Sequence, residues 1–168
     1  MGMKRQLFVV VCALALASSA LAQTKISGSI DCDKGDPRYT IPVPDREGFA
    51  FVIDQDKCTW PKSSPLEGLQ PKELINTRSI EVTGASARTT AAGVTRYDNG
   101  DKLYTRSTGP VDLKALTSSG KWTVTGGTGK LRGIKGGGTY TCKMKSAEPG
   151  AGYTCDVEGE YTLPAAKK

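Results

Sequence analysis

Thr139-Tyr140-Thr141-Cys142-Lys143-Met144-Lys145 and, after a short break, Tyr153-Thr154-Cys155-Asp156-Val157-Glu158-Gly159-Glu160-Tyr161-Thr162-Leu163 are the stretches that decide the fold. Tyr140, Cys142 and Met144 alternate with threonines and lysines. Tyr153, Cys155, Val157, Tyr161 and Leu163 alternate with Thr154, Asp156, Glu158, Glu160 and Thr162. A period of two with one apolar face marks a half-buried strand. Ala147-Glu148-Pro149-Gly150 between them is turn-forming. A four-residue loop there sets Ser146 opposite Ala151, Met144 opposite Tyr153 and Cys142 opposite Cys155. The two cysteines then meet on the apolar side.

The chain has 168 residues, the length of one ordinary domain, and five cysteines. Its N-terminus reads as an export signal. Lys4 and Arg5 precede an apolar run from Leu7 to Ala17, and Ala20-Leu21-Ala22 is a small-x-small cleavage site. The run is too short for a membrane span, which takes roughly 20 residues. Residues 1–22 are therefore expected to be removed, Cys12 with them. Residues 23–168 are left as a single exported domain, periplasmic or extracellular. Removal takes two basic residues and no acid from a net charge of +6, which stays positive. Four cysteines remain, and an even count in an exported chain reads as disulfides. The hairpin register joins Cys142 to Cys155. By elimination Cys32 joins Cys58.

Strand patterns fill the rest of the chain. Ile26, Gly28, Ile30 and Cys32 share one parity, as do Phe49, Phe51 and Ile53. Ile80 and Val82 alternate with polar neighbours, and so do Trp122 and Val124. Turn signals recur at Asp98-Asn99-Gly100-Asp101, at Ser118-Ser119-Gly120 and from Gly126 to Gly138. No helical periodicity is sustained. The best short helical candidate is Pro71 to Ile75, after a loop running from Pro61 to Pro71. About eight strands with short connections predict an all-β domain, a closed antiparallel barrel or a sandwich. The pattern specifies no oligomeric state.

The glycine-rich segment fails as a phosphate loop. Val124 stands where a Walker A glycine belongs, and Leu131 follows the lysine instead of Ser or Thr. It reads as a tight turn that tucks Leu131 beneath the barrel, with Gly136-Gly137-Gly138 in a bent strand. Gly126-Gly127-Thr128-Gly129-Lys130, then Leu131, Arg132 and a glycine-bearing strand, resembles the corresponding turn of dirigent proteins and allene oxide cyclase-like barrels. Asp98-Asn99-Gly100-Asp101-Lys102, Gly127 to Tyr140 and Val157-Glu158-Gly159-Glu160-Tyr161 are similar to small exported bacterial proteins related to that group. The resemblance covers roughly residues 47 to 163 and implies an eight-stranded antiparallel barrel with a central cavity. The site residues of dirigent proteins and the cyclase pocket find no matching positions here, so no activity is carried over.

The chain has no histidine. That removes Ser-His-Asp and Cys-His nucleophiles and imidazole metal sites. No Cys-x-x-Cys pair points to a zinc or redox site. Asp31, Asp33 and Asp36, with Asp54 and Asp56 nearby, read as solvated loop acids and not as a calcium loop. Asp156, Glu158 and Glu160 have outward parity, which argues against a paired-carboxylate hydrolase. The aromatics share parity with core residues, which argues against nucleic-acid binding. No metal or cofactor site is read.

An eight-stranded barrel is either filled by side chains or holds one small ligand. Two functions follow: a non-catalytic barrel that binds a small apolar ligand, with or without an acidic group, or serves a structural role, and a cyclase, isomerase or coupling-director enzyme acting on an apolar substrate. An ionisable group inside the barrel beside aromatics separates them. A three-residue Asp98-Asn99-Gly100 loop, with Gly100 left-handed, pairs Val94 with Tyr104, whereas a two-residue Asn99-Gly100 turn would shift the register by one and set Asp98 opposite Asp101, a disfavoured like-charge pair. Two placements are then open. Either Leu103 points inward and Arg96 and Arg106 are solvated, or Arg106 stands at the barrel mouth beside Tyr104. In the second case Phe49, Phe51, Trp122 and Tyr140 line the wall, and Arg106 takes a carboxylate.

Overall fold

Among the described residues the chain forms nine strands, and hydrogen bonding bends eight of them into a ring. The computed structural model describes residues 23–164. The strands are β1 (Thr24–Cys32), β2 (Arg38–Pro42), β3 (Phe49–Ser63), β4 (Pro71–Thr83), β5 (Ser86–Tyr97), β6 (Lys102–Asp112), β7 (Thr117–Gly127), β8 (Lys135–Met144) and β9 (Tyr153–Thr162). Each strand from β3 to β9 pairs antiparallel with the next, β9 pairs with β1, and β1 pairs with β3. The result is a closed eight-stranded antiparallel barrel, all-β apart from one 3-10 turn at Gly129–Leu131. Closure removes the free edges that an open sheet would expose. β2 is an added strand. It lies on β3 from Ala50 to Asp54, above the Cys58 to Ser63 segment where β1 pairs.

The hairpin that anchored the sequence reading has the expected register, with Met144 opposite Tyr153 and Cys142 opposite Cys155. Disulfides join Cys142 to Cys155 and Cys32 to Cys58. The second crosses the β1–β3 seam, where the ring closes. Both sit in one buried cluster with Ile30 and Leu74. Irregularities at Ser29/Asp31 in β1 and Tyr104/Thr105 in β6 supply local bends of the kind a barrel needs.

The turns after β3, β5 and β7 share one end of the barrel, and that end is plugged. Leu66 and Leu69, from the loop after β3, meet Leu131 and Ile134, from the loop after β7, over Tyr97, Leu103 and Tyr161. Leu131 is fully buried, as its tucked position required. The loop after β5 is the three-residue turn expected. Tyr97 donates to the carbonyl of Asp101, and Gly100 has φ +88. Pro71 to Ile75 lies in β4, not in a helix, and the preceding loop starts only after Ser63. Leu74 is buried while Glu73 and Ile75 on either side are only half-buried, so alternation against neighbouring strands overrides the weak local helical pattern. The expected leader, residues 1–22, lies outside the described residues.

Candidate functional site

Inside the ring, above the plug, is a cavity of about 650 Å³. Small inward residues on β5 and β6, among them Ala87, Ala91 and Ser107, make the room. Trp60, Trp122 and Tyr140 supply aromatic walls. The mouth is formed by Arg38 and Thr40 of β2, Phe49, Leu113 and Leu116, and the loop from Ala147 to Ala151. Trp122 lies against Gly159, where a Cβ would come within 2.5 Å of the indole, and its Nε1 donates to the carbonyl of Glu158 at 3.2 Å.

One wall is polar. β3 turns Val52, Asp54, Asp56 and Cys58 inward, and both acids are only 2% exposed. Opposite them β4 presents Asn76 and Arg78, β9 presents Tyr153, and β2 reaches in with Arg38. Arg78 grips Asp54 as a fork: Nε donates to Oδ1 at 2.7 Å and Nη2 to Oδ2 at 3.0 Å. Arg38 Nη1 donates to the same Oδ2. Gly35 covers this pair closely. A Cβ there would stand 2.9 Å from Asp54 Oδ2, so no larger residue fits without displacing the carboxylate.

Asp56 is held differently. Tyr153 Oη donates to its Oδ2 at 3.0 Å and Asn76 Nδ2 to its Oδ1 at 3.1 Å. Arg78 Nε lies 3.1 Å from Oδ2. Burial pushes the Asp56 carboxyl above its ordinary value, the Asp54 charge adds to this, and Arg78, Asn76 and Tyr153 offset it only in part. Burial also pushes the Tyr153 hydroxyl up, reinforced by Asp56. Burial alone would lower Arg78, but Asp54 and its neighbours outweigh that and hold the guanidinium charged. Arg78 also packs over the Tyr153 ring, 5.1 Å from its centroid. A guanidinium carries five N–H donors. The contacts to Asp54 and Asp56 leave both Arg38 and Arg78 with donors to offer in the cavity they line.

Among the described residues, Cys32, Asp56 and Cys58 form a group of potential metal ligands within 4.8 Å of one another. The two sulfurs are bonded to each other, so they offer no thiolate, and Arg78 stands beside the carboxylate. This donor set does not suit a cation.

Of the residues singled out from the sequence, Phe49, Trp122 and Tyr140 line the cavity. Phe51 does not. It is 52% exposed on the outer face. Tyr104 and Arg106 also lie outside. Val94 does pair with Tyr104, but Leu103, Thr105 and Ser107 are the inward residues of β6. Leu103 is buried in the plug against Tyr97, and that fixes the face of the whole hairpin. Arg106 is exposed, and Arg96 pairs with Glu73 on the outside at 2.8 Å. Asp54 and Asp56 are not loop acids but the most buried polar residues of β3. The signal that could have found them is Cys58. Its bond to Cys32 puts it inside, and every second residue before it, Asp56, Asp54 and Val52, must follow.

No known family profile matches this sequence, and no curated protein matches it. Eight chains of solved structures do match. One is the pterocarpan synthase dirigent protein GePTS1, at 13% identity and a TM-score of 0.49, covering 93% of this chain and 98% of that one. Another is the pterocarpan synthase dirigent protein PsPTS1, at 12% identity and a TM-score of 0.44, covering 84% and 95%.

Proposed function

We propose that this chain is an exported, non-catalytic barrel that binds one small, mainly apolar molecule carrying an acidic or hydrogen-bond-accepting group. The carrying observation is the cavity itself: apolar and aromatic on most sides, open at one end, with guanidinium donors of Arg38 and Arg78 on one wall. Pockets of this kind hold ligands by apolar contact and orient them through a few polar groups. The apolar body would lie against Trp60, Trp122 and Leu74, and the acceptor group under the arginines. Two buried disulfides and the N-terminal leader pattern support export.

Trp60 and Trp122, the two tryptophans, both line the cavity, so their fluorescence reports its occupancy. Titration with laurate, cinnamate and dodecanol is expected to shift that fluorescence saturably. Arg38→Gln should weaken the acids by about 1–3 kcal/mol, the scale for a hydrogen bond to a charged group, and dodecanol much less. No saturable change with any of the three would refute the reading. A cyclase or isomerase would need an ionisable group that a substrate can reach, and Asp56 beside Tyr153 is wholly enclosed. Mass spectrometry of a substrate panel after incubation separates binding from such catalysis, since binding returns every compound unchanged.

A further inference from the structure

We propose that the cavity takes up its acid together with one proton, which settles on Asp56 behind Arg78, so that ligand binding is tied to pH. This rests on the binding reading above and adds its regulation.

Charge balance in the polar wall carries the inference. Two guanidiniums, Arg38 and Arg78, face two carboxylates, Asp54 and Asp56. Asp54 receives both arginines and is fully enclosed. Asp56 shares only Arg78 Nε and otherwise accepts from two neutral donors, Tyr153 and Asn76. With both acids ionised the cluster is neutral, and an incoming carboxylate would be an uncompensated third anion in a cavity with mostly apolar walls. Like charges sharing such a site cannot all ionise.

One proton from solvent restores the balance. Asp56 is the acid that can hold it, since it lacks the two-arginine grip of Asp54 and burial already favours its neutral form. The Asp56 side chain is wholly enclosed, so it feels the ligand through Arg78, which lines the cavity and lies 3.1 Å from Oδ2 of Asp56. Tyr153 and Asn76 still donate to its oxygens. The bond made is O–H on Asp56. Nothing is oxidised or reduced.

The groups facing Asp56 are Asp54 and the Cys58 sulfur from β3, Asn76 and Arg78 from β4, and Tyr153 from β9, while Arg38 from β2 reaches Asp54 beside it. Glu148 lines the mouth above them. Arg78 opposes protonation. Asp54 and an entering carboxylate favour it. Tyr153 stays a neutral donor throughout, because its hydroxyl is pushed upward.

The test is calorimetry of laurate binding to the mature protein, in buffers of different ionisation enthalpy, from about pH 6 to pH 8. Laurate is expected to bind with uptake of close to one proton and to weaken about tenfold per pH unit. Dodecanol should bind with no uptake and no pH dependence. Asp56→Asn should bind laurate with the uptake and the slope both lost. Laurate binding without proton uptake, or uptake that survives in Asp56→Asn, overturns the proposal and leaves the binding reading standing. If neither laurate nor dodecanol binds, both fall. The proton count on the parent protein decides the matter even if Asp56→Asn does not fold.

Discussion

Replacing Asp54 by Asn tests the polar wall at its most committed point. The Asp54 side chain is completely buried and receives three hydrogen bonds from two arginines. Asn keeps the shape but removes the charge and puts an N–H₂ donor where one oxygen stood. Arg38 and Arg78 then lose their shared counter-ion. The Arg78 side chain is only 12% exposed, so water cannot replace that partner. Breaking one side of a buried ion pair costs about 3–5 kcal/mol. At an m-value of about 2 kcal/mol/M, a 4 kcal/mol loss moves the urea midpoint down by about 2 M. Urea unfolding followed through Trp60 and Trp122, with disulfides intact, measures it directly. Adding Arg78→Met to Asp54→Asn should recover part of the loss. The double variant buries no guanidinium at position 78 that has lost its main partner, and Asp56 can stay neutral by holding a proton. A midpoint shift below about 0.5 M for Asp54→Asn would refute the reasoning, because an ion pair worth so little is a solvated one.

Four other outcomes follow from the same structure. The Asp56 carboxyl is raised in the fold from 3.8, so its contribution to stability is greatest at acid pH and falls as pH climbs from about 4 through the raised value; Asp56→Asn should flatten that part of the stability profile, and an unchanged slope in chemical denaturation would contradict it. Cys142→Ala with Cys155→Ala should cost about 2–4 kcal/mol with the circular-dichroism spectrum preserved, since the β8–β9 register holds without the bridge. Arg106→Ala should leave laurate affinity unchanged, because this side chain is on the outer face; a tenfold loss would return Arg106 to the site. Protein recovered from the periplasm or medium should begin at Gln23 and show no alkylatable thiol by intact mass, whereas a retained leader would refute export.

What could be read from the sequence was what depends on local register. The Tyr140–Leu163 hairpin, both disulfides and the tucked Leu131 all follow from alternation, turn chemistry and cysteine parity. The polar wall was hidden because β3 carries two competing alternations. Phe49, Phe51 and Ile53 form the more apolar set, yet Val52, Asp54, Asp56 and Cys58 face inward. Hydrophobicity alone picks the wrong face when a barrel lines its interior with ion pairs. β2 completes the inversion. Tyr39 lies beside Ile53 and Ile41 beside Phe51, and all four are exposed on the outside. In the Val94–Tyr104 hairpin the like-charge clash of Asp98 with Asp101 favoured one register, but neither register nor face was settled by the sequence. The face is decided by Leu103 packing into a plug built from two distant loops over Tyr97 and Tyr161, a long-range contact that no window of sequence contains.

The most direct measurement is an anomalous-difference map of the protein crystallised with ω-bromolaurate. The bromine is expected inside the barrel among Trp60, Trp122 and Leu74. The carboxylate should then lie within hydrogen-bond distance of Arg38 or Arg78. Bromine found only on the outer face, over Phe51 and Ile53, with the cavity holding water alone, would contradict a ligand-binding barrel.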